Sequence, residues 1–479
     1  MRSITIEQVA RWTNGTIMRV ASRAKELNGV ATDSRAVEPG MIFIALRGER
    51  FDGHEFVRDA IERGASAVIV HQLDAVPRDA QVSVVTVNDT LRALGDLAGG
   101  YLRWLTADAD CRVVAVTGSS GKTTTKFMIG HVLNRSFATL VSPESFNNEI
   151  GVPLTILQLE SSHRILVLEY AARHRGDISY LCNIARPDVS VITNIGKAHI
   201  GIFGSERAIL DAKAEIIEAL PREGCAILNA DDSAFNELRM RTQGRILSFS
   251  VAGDDAIDVR AEDIKWLPTG MQFRVRTAHA SFNAYLPIFG EHNISNALAA
   301  LATALALKGE LSERDITALS TFTPPKMRLE IKTTSNGVTI INDAYNANPD
   351  SMRAALHVLK RYPTSGRRVA VLGEMKELGD ASFDEHFKLG WELPDYDVDI
   401  AIIVGPAKPI ADGISARMRE VSKQQEAIAL FVADDADDAT HLLRKHLTAG
   451  DVVLVKASRA VQLERIVERL CGDKGDRDD

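Results

Sequence analysis

The chain has 479 residues, of which 45% are hydrophobic and 25% are charged, and its formal net charge is -8. At roughly 100–200 residues per domain, this length predicts two to four domains, with three as the central expectation. The acidic balance excludes the broad basic surface on which non-specific nucleic-acid binding depends, so we expect no nucleic-acid partner.

The N-terminal stretch M-R-S-I-T-I-E-Q-V-A-R-W mixes charged with apolar residues and lacks the apolar core of a signal peptide. No stretch of the chain approaches the roughly 18 consecutive apolar residues that a membrane span needs. The four cysteines are scattered and form no C-x-x-C pair, which argues against a disulfide framework or a cysteine-rich zinc site. These features predict a cytoplasmic protein without a membrane span.

Three regions follow one another along the chain, and together they predict an α/β protein of three domains. Residues 1–108 mix short strands with turn signals, which is typical of a small α/β domain. Residues 109–323 alternate apolar runs such as I-L-V-L-E and V-S-V-I-T with amphipathic helices, which favours a mostly parallel sheet. Residues 324–479 repeat that alternation and predict a second doubly wound, Rossmann-like domain. Such an arrangement suggests a cleft that closes over a nucleotide.

The strongest local signal is V-V-A-V-T-G-S-S-G-K-T-T-T, residues 113–125, which reads as a strand, a glycine-rich loop and a helix start. Backbone N–H groups in such a loop can face phosphate oxygens, and the helix N-terminus adds partial positive charge. We expect Lys122 to reach the terminal phosphates of ATP and the Thr123 hydroxyl to ligate Mg²⁺. The loop departs from the strict phosphate-loop spelling, because Val116 stands where the first glycine belongs. An ordinary glycine turn is the alternative interpretation.

Three further residues could act beside this loop. Glu169 ends the strand I-L-V-L-E, where a carboxylate at the carboxyl edge of a parallel sheet could hold Mg²⁺ or could be a solvated strand end. His199 follows the strand V-S-V-I-T-N, and Lys213 lies on the next predicted helix. Taken alone, a single histidine is more often structural, and a helical lysine usually lies on a solvated face.

The chain resembles the Mur ligases of peptidoglycan synthesis. The matching stretches are T-G-S-S-G-K-T-T, F-N-N-E-I-G-V-P, T-N-I-G-K-A-H, A-K-A-E-I, E-H-N-I-S-N-A-L-A-A, M-R-L-E, D-A-Y-N-A-N-P-D-S-M and L-G-E-M-K-E-L-G, with D-S-R-A-V-E-P-G and F-D-G-H near the N-terminus. They occur in family order and cover all but the ends of the chain. The resemblance implies domains that bind a UDP-linked substrate, bind ATP, and close over ATP while binding the incoming amine, in that order.

The resemblance also implies roles for individual residues. Lys213 matches a lysine that CO₂ carbamoylates, so that it can serve a second Mg²⁺ with His199, and Arg328 matches an arginine that reaches the ATP phosphates. With Lys122, these form the expected catalytic set. The other residues expected at ATP are Thr117, Gly118, Ser119, Ser120, Gly121, Thr123, Thr124, His292, Asn293, Asn296, Asp343 and Tyr345. Those expected at substrate are Ser34 and Arg35 for the uridine diphosphate end, Asn147 and Asn148 for the muramoyl-peptide, and Asn346 and Asn348 in the last domain.

Without the resemblance, two of these motifs have plainer interpretations. H-N-I-S-N-A-L-A-A could be a helix entry with asparagine caps, and D-A-Y-N-A-N-P could be a turn. The chain also departs from the family where Y-A-A-R-H-R-G follows Glu169, and where Lys197 and Gly201 flank A-H. These departures bear on the peptide substrate more than on the chemistry.

The resemblance implies an amide ligation in two steps. ATP phosphorylates a carboxylate, and an amine then displaces phosphate from the acyl phosphate. The substrates it implies are UDP-N-acetylmuramoyl-tripeptide and D-alanyl-D-alanine, on an enzyme that acts as a monomer. Three alternatives stay open: a ligase that adds a diamino acid to the UDP-N-acetylmuramoyl-dipeptide, a relative acting on a non-cell-wall acid, and an ATPase that drives movement or assembly.

Overall fold

The computed structural model of this chain describes residues 1–21, 26–48, 51–107, 110–253, 256–420 and 427–472. The described residues contain sheets of five, nine and six strands, each at the centre of one α/β domain. The predicted boundary at residues 108 and 109 lies outside the described residues. Of the helices in the described ranges, none combines the length and the apolar character needed to cross a bilayer.

The N-terminal domain is built on the five-stranded sheet, in the order β1-β5-β4-β3-β2, with β1 antiparallel at one edge. A capping box between Thr5 and Gln8 starts its first helix. Its elements are α1 (Ile6–Thr13), β1 (Thr16–Arg19), β2 (Gly29–Ala31), β3 (Met41–Ile44), α2 (Val57–Glu62), β4 (Ala67–Val70), β5 (Ser83–Thr86) and α3 (Thr90–Thr106).

The central domain is built on the nine-stranded sheet, in the order β14-β13-β12-β11-β10-β9-β6-β8-β7. Its elements are β6 (Arg112–Thr117), α4 (Lys122–Leu133), β7 (Thr139–Val141), α5 (Gly151–Ile156), β8 (Ile165–Glu169), α6 (Asp177–Ile184), β9 (Val189–Ile192), α7 (Ile200–Phe203), α8 (Glu206–Glu218), β10 (Cys225–Asn229), α9 (Phe235–Leu238), β11 (Arg245–Ser250), β12 (Val259–Leu267), β13 (Gly270–Thr277), β14 (Ser281–Leu286), α10 (Glu291–Lys308) and α11 (Glu313–Ala318).

The predicted parallel core of the central sheet is confirmed, since β6 pairs in parallel with both β8 and β9. Alternate residues of β6 enter different cores: Val114 and Val116 face one side of the sheet, and Val113 and Ala115 face the other. Burial on both faces explains the unbroken apolar run in the sequence. The antiparallel hairpins of β12, β13 and β14 were not predicted.

The C-terminal domain is built on the six-stranded sheet, in the order β15-β16-β20-β17-β18-β19, with β15 antiparallel at the edge. Its elements are β15 (Glu330–Thr333), β16 (Thr339–Asn342), α12 (Pro349–Arg361), β17 (Arg368–Leu372), α13 (Ser382–Glu392), β18 (Ile400–Val404), α14 (Lys408–Glu420), β19 (Ala429–Ala433), α15 (Ala436–His446), β20 (Val452–Lys456) and α16 (Glu464–Gly472).

Apolar cores run across both domain junctions. One cluster joins strands of the N-terminal domain to one face of the central sheet, and another joins the opposite face to β16, β17 and β20. The carboxyl ends of β6, β8 and β9 lie side by side, where α/β sheets bind ligands. Hydrogen bonds link the loops at these ends to loops of the C-terminal domain, which places a cleft between the two domains.

Candidate active site

The loop of residues 118–121 joins β6 to α4, as the sequence predicted. Gly118 has φ +148° and Gly121 has φ +80°, backbone conformations that favour glycine. A Cβ atom on Gly118 would lie 1.9 Å from Thr193 Oγ1, and one on Gly121 would lie 2.5 Å from Asn296 Oδ1. Val116 stays within the strand, so the glycine missing from the strict motif is not needed for this turn.

Residues that follow β9 hold the loop in place. Ser119 N donates to the Asn194 carbonyl at 3.0 Å, and Ser120 N donates to Asn194 Oδ1 at 2.9 Å. Lys122 Nζ donates to the Gly118 carbonyl at 2.8 Å, and burial lowers the pKa of this lysine against the opposing charge of Glu169. No side chain caps the first amides of α4, which leaves these N–H groups to an anion.

Glu169 lies at the end of β8, 1% exposed, and meets the loop as predicted. Its Oε2 accepts from Thr123 Oγ1 at 2.9 Å, and its Oε1 accepts from Asn147 Nδ2 at 2.9 Å. Burial opposes ionisation, but Lys126 and Lys122 outweigh it, so the pKa of Glu169 lies below its usual range. Two oxygen donors therefore face the phosphate loop, which is the ligand chemistry that Mg²⁺ prefers.

Arg328 reaches this pair from the C-terminal domain. Its Nη2 donates to Thr123 Oγ1 at 3.1 Å, and its guanidinium lies 4.3 Å from the centroid of the Tyr345 ring. Met327 and Leu329 on either side have φ of 59° and 51°, a left-handed conformation that is costly for such residues. The strained turn directs the arginine across the cleft toward the loop.

His199 and Lys213 both lie close enough to Lys122 for its charge to act on them. Lys213 is 1% exposed on α8, and within the described chain its ammonium has no hydrogen-bond or ion-pair partner. Burial, and then the charge of Lys122, lower the pKa of Lys213 well below its usual range. His199 Nδ1 is hydrogen-bonded to Glu377, and burial lowers the pKa of the ring. A lysine without a partner beside an oriented imidazole does not fit a solvated helix face.

The described residues contain no group of three or more His, Cys, Asp and Glu side chains that could hold a metal ion. The donors present are the Thr123 and Glu169 oxygens and the imidazole of His199. Mg²⁺ usually keeps several waters and binds one or two carboxylates together with substrate phosphates. This donor set therefore fits Mg²⁺ bound with ATP, and a carbamate on Lys213 would supply further oxygens.

The residues predicted at the adenine lie on α10 of the central domain, on the same side of the cleft as the phosphate loop. Asn296 Nδ2 donates to Asn293 Oδ1 at 3.1 Å, and Asn296 Oδ1 accepts from Thr125 Oγ1 at 3.0 Å. These asparagines do not cap α10, because Asn293 Nδ2 donates instead to the Phe289 carbonyl at 2.8 Å. His292, the second residue of α10, is exposed.

Lys456 is a site residue that sequence reasoning missed. It ends β20 almost fully buried, and its Nζ lies 2.6 Å from Asp343 Oδ2 and 2.9 Å from the Asn346 carbonyl. The sequence could have indicated Lys456, because it ends the apolar run V-V-L-V-K and a charge at the end of a buried strand needs a partner.

Asn348 caps α12, and its Nδ2 donates to Ser120 Oγ at 3.1 Å.

Asn147 and Asn148 line a cavity of about 950 Å³ between α3 and the central domain. Arg92 and Arg103 of α3 form one wall, and residues 171–174 form another. Ser34 and Arg35 are not part of this lining; Ser34 is buried, and Arg35 is paired with Asp33 at 2.7 Å. The structure therefore brings the two asparagines, but not the predicted uridine-binding turn, to this cavity.

Lys126 is a second charged residue that sequence reasoning missed. It is fully buried on α4, and its Nζ lies 3.4 Å from Glu169 Oε2. Removing one partner of a buried ion pair costs about 3–5 kcal/mol, because the other charge stays buried. We expect Lys126→Met to lower the midpoint of thermal unfolding with destabilisation near the low end of that range, since Thr123 and Asn147 still hold the carboxylate.

The double variant Lys126→Met with Glu169→Gln provides the control for this prediction. It removes both charges and should recover much of the lost stability. Calorimetry on the wild type and the two variants checks the expectation. A single variant as stable as the wild type would contradict the importance of the buried pair.

Three family descriptions match successive parts of the chain. "Mur ligase family, catalytic domain" matches residues 26–102, "Mur ligase middle domain" matches residues 116–304, and "Mur ligase, glutamate ligase domain" matches residues 327–459. The first two matched segments lie within the predicted domains 1–108 and 109–323, and the third lies within 324–479. The exact boundaries stay predictions.

Named proteins resemble the chain over nearly its whole length. The UDP-N-acetylmuramoyl-tripeptide--D-alanyl-D-alanine ligase of Mycobacterium tuberculosis is 36% identical, over 99% of this chain and 98% of the relative. That of Escherichia coli is 33% identical, over 98% and 99%. The crystal structure of MurF from Acinetobacter baumannii superposes with a TM-score of 0.87 at 35% identity, covering 99% of this chain and 100% of that one.

A second solved structure contains a nucleotide. MurF ligase from Thermotoga maritima in complex with ADP is 30% identical, with a TM-score of 0.79 over 93% of this chain and 97% of that one. The family matches, the relatives and the three-domain fold agree with one another. The chain belongs to the Mur ligase family.

Proposed function

We propose that this chain is an ATP-dependent amide ligase that joins D-alanyl-D-alanine to UDP-N-acetylmuramoyl-tripeptide. The products are UDP-N-acetylmuramoyl-pentapeptide, ADP and phosphate. The observation that carries the proposal is the phosphate loop with Thr123 on Glu169 and Arg328 from the opposite domain, in a chain that resembles ligases of this name from end to end.

ATP binds across the cleft. Its phosphates lie on the loop from Thr117 to Thr124, with Lys122 and Arg328 offsetting the charge of the transferred group. His292, Asn293 and Asn296 approach the adenine from the central domain. Asp343 and Tyr345 approach the nucleotide from the C-terminal domain. The ADP bound to the Thermotoga maritima relative supports a nucleotide in this cleft.

The reaction has two steps. A carboxylate oxygen of the tripeptide attacks the γ-phosphorus of ATP, the bond from that phosphorus to the bridging oxygen breaks, and ADP leaves. The amine of D-alanyl-D-alanine then attacks the acyl carbon and loses a proton, and phosphate leaves. Carboxylates are poor electrophiles, so the first step supplies a leaving group. The residues at the loop contribute mainly by positioning and electrostatics.

Two Mg²⁺ ions fit the donors present: one at Thr123 and Glu169, and one at His199 and Lys213. The ions would offset charge on the phosphates and orient them for transfer. Lys213 is buried and has no polar partner among the described residues, and a neutral amine can add CO₂ and release a proton to form a carbamate. That modification would turn a buried amine into an oxygen ligand, which accounts for its burial beside the site.

The N-terminal domain binds the uridine diphosphate end through the turn at Ser34 and Arg35. The peptide lies along the cavity lined by Asn147 and Asn148. The C-terminal domain, with Asn346 and Asn348, binds the incoming amine. The segment from Tyr170 to Gly176 departs from the family pattern and forms part of the lining of the peptide cavity. We therefore expect it to affect which peptide the enzyme accepts.

A substrate matrix tests the proposal. UDP-N-acetylmuramoyl-dipeptide and -tripeptide are each combined with D-alanyl-D-alanine or with a free diamino acid, and ADP release is measured. We expect kcat/KM for the tripeptide with D-alanyl-D-alanine to be at least a hundredfold higher than for the other combinations. A site that hydrogen-bonds polar groups of its substrate can discriminate by about 10⁴-fold against a ligand that leaves those groups unpaired.

The other outcomes separate the alternatives. Faster ADP release from the dipeptide with a diamino acid would replace the proposed substrates. ADP release with ATP alone, undiminished when acid and amine are omitted, would favour an ATPase that drives movement or assembly. If neither UDP-peptide is turned over, the favoured alternative is a relative that acts on a non-cell-wall acid.

A further inference from the structure

Glu377 connects the C-terminal domain to His199. It lies in the loop between β17 and α13, and its Oε2 is hydrogen-bonded to His199 Nδ1. Its Oε1 accepts from Arg173 Nη2 at 3.1 Å, and its backbone carbonyl accepts from Gly201 N at 3.0 Å. One residue of the C-terminal domain therefore contacts three residues of the central domain, two of them in the segment that carries His199.

The backbone on both sides of this contact is strained. His199 has φ +63° and Glu377 has φ +65°, a left-handed conformation that costs a residue with a Cβ atom about 1–2 kcal/mol. Gly201 packs directly on Gly379, where a Cβ atom on Gly201 would lie 2.2 Å from Gly379 N. Strain of this kind persists where surrounding contacts hold it, and it concentrates at functional sites.

The hydrogen bond fixes the chemistry of the imidazole. A neutral histidine carries one N–H and one lone pair, so donating from Nδ1 to a carboxylate leaves the lone pair on Nε2. Within the described residues, His199 Nε2 has no hydrogen-bond partner, although Lys122 and Lys213 lie near enough to act on the ring electrostatically. A carboxylate behind an imidazole is the usual way in which proteins orient a histidine that binds a metal.

We infer that Glu377 is a positioning residue, which turns His199 Nε2 toward the second Mg²⁺ site only when the C-terminal domain is docked on the central domain. This inference rests on the proposed function. The C-terminal domain then contributes two residues to the site: Arg328, which contacts Thr123, and Glu377, which contacts His199. Docking of the domain and assembly of the second ion site become a single event.

A neighbouring contact joins the same two domains without touching His199. Lys197 Nζ donates to Glu385 Oε1 at 2.9 Å, and Lys197 N donates to Asp350 Oδ2 at 3.3 Å. Lys197→Met therefore weakens docking and leaves the carboxylate behind the imidazole. A second control is Glu374→Gln in the same loop, because the Glu374 side chain pairs with Lys376.

The test is Mn²⁺ binding to the full chain with ADP present, followed by electron paramagnetic resonance. Glu377→Ala is expected to weaken the second Mn²⁺ by about 10–100-fold, the usual effect of removing a residue that orients a metal ligand, and to leave the first ion unchanged. Glu377→Gln keeps an acceptor for Nδ1–H and should recover part of the affinity. Lys197→Met should weaken the second ion much less than Glu377→Ala does, because it loosens docking but keeps the carboxylate behind the imidazole. Glu374→Gln should bind both ions as the wild type does.

Combination with His199→Ala completes the design. In that background Glu377→Gln should cause no further loss, because its effect acts through the imidazole. Equal weakening by Glu377→Ala and Lys197→Met would reduce Glu377 to a docking contact and overturn the inference. So would a wild type that binds only one Mn²⁺, or a Glu377→Gln variant that loses activity while binding both ions normally.

The outcome for the proposed function is read separately. If the wild type binds both ions with ADP but joins neither peptide acid to any amine, the proposed substrates are wrong and the role of Glu377 stands. If it joins D-alanyl-D-alanine to the tripeptide while Mn²⁺ binding is insensitive to Glu377, the proposed function stands and the inference falls.

Discussion

Replacing Lys122 with methionine is expected to lower kcat by about 10²–10³-fold, the effect of removing one group that stabilises charge in a transition state. In the structure Nζ donates to the Gly118 carbonyl, a neutral acceptor that a phosphate oxygen can replace because an oxygen of opposite charge attracts the ammonium more strongly. Methionine keeps most of the length of the side chain and removes the charge. Steady-state ADP release at saturating ATP and both substrates measures the effect.

The matched control is Lys265→Met, the same chemical change at an exposed position on β12 of the same domain. It should leave kcat and the thermal midpoint near those of the wild type. If Lys122→Met retains more than a tenth of the wild-type kcat, the ammonium does not act on the transferred phosphoryl group. A loss confined to the KM for ATP would place its role in ground-state binding.

Local features of the fold could be predicted well from the sequence. The strand, loop and helix at residues 112–133 follow from a β-branched run, two glycines and a stretch of helix formers, all within a few residues of one another. The hairpins β12 to β14 were missed because their alternating exposure gives a weaker signal than a fully buried strand. Their pairing also depends on the rest of the sheet.

The charged partners in the site were harder to predict, because they come from distant parts of the chain. Glu377 lies 178 positions from His199, and Lys456 lies 113 positions from Asp343. Lys126 is different, since it follows Lys122 by four positions and must share its helix face. Its apolar neighbours on α4 could have indicated a buried charge that needs a carboxylate, and Glu169 was already expected nearby.

The departures from the family also gain a physical account. Lys197 and Arg173, both outside the family pattern, pair with Glu385 and Glu377 of the C-terminal domain. Gly201 allows the backbone of α7 to approach Gly379 closely. These residues therefore form contacts between the central and C-terminal domains. Arg173 also lines the cavity assigned to the peptide, so its effect on the choice of peptide stays a prediction.

Lys213→Ala is expected to lower kcat by roughly 10²–10³-fold, because losing a ligand to Mg²⁺ removes several kcal/mol of charge stabilisation, at 1.36 kcal/mol for each factor of ten. The wild-type lysine is 1% exposed and has no polar partner in the described chain, so its removal breaks no hydrogen bond. Alanine leaves a cavity at the position of the side chain. Acetate or propionate can place carboxylate oxygens there, and we expect either anion to restore part of the activity.

Position-specific rescue is the decisive result, because a general salt effect would act on any weakened variant. Lys122→Ala therefore serves as the control and should gain nothing from acetate, since its missing group is a cation. Nuclear magnetic resonance with ¹³CO₂ adds a readout independent of turnover: the wild type should show a carbamate signal that Lys213→Ala lacks. Full activity of Lys213→Ala, or the same carbamate signal in that variant, would show that Lys213 is not a carbamoylated ligand of the second ion. Loss of activity that no carboxylate restores, with no carbamate signal in the wild type, would assign Lys213 to packing alone.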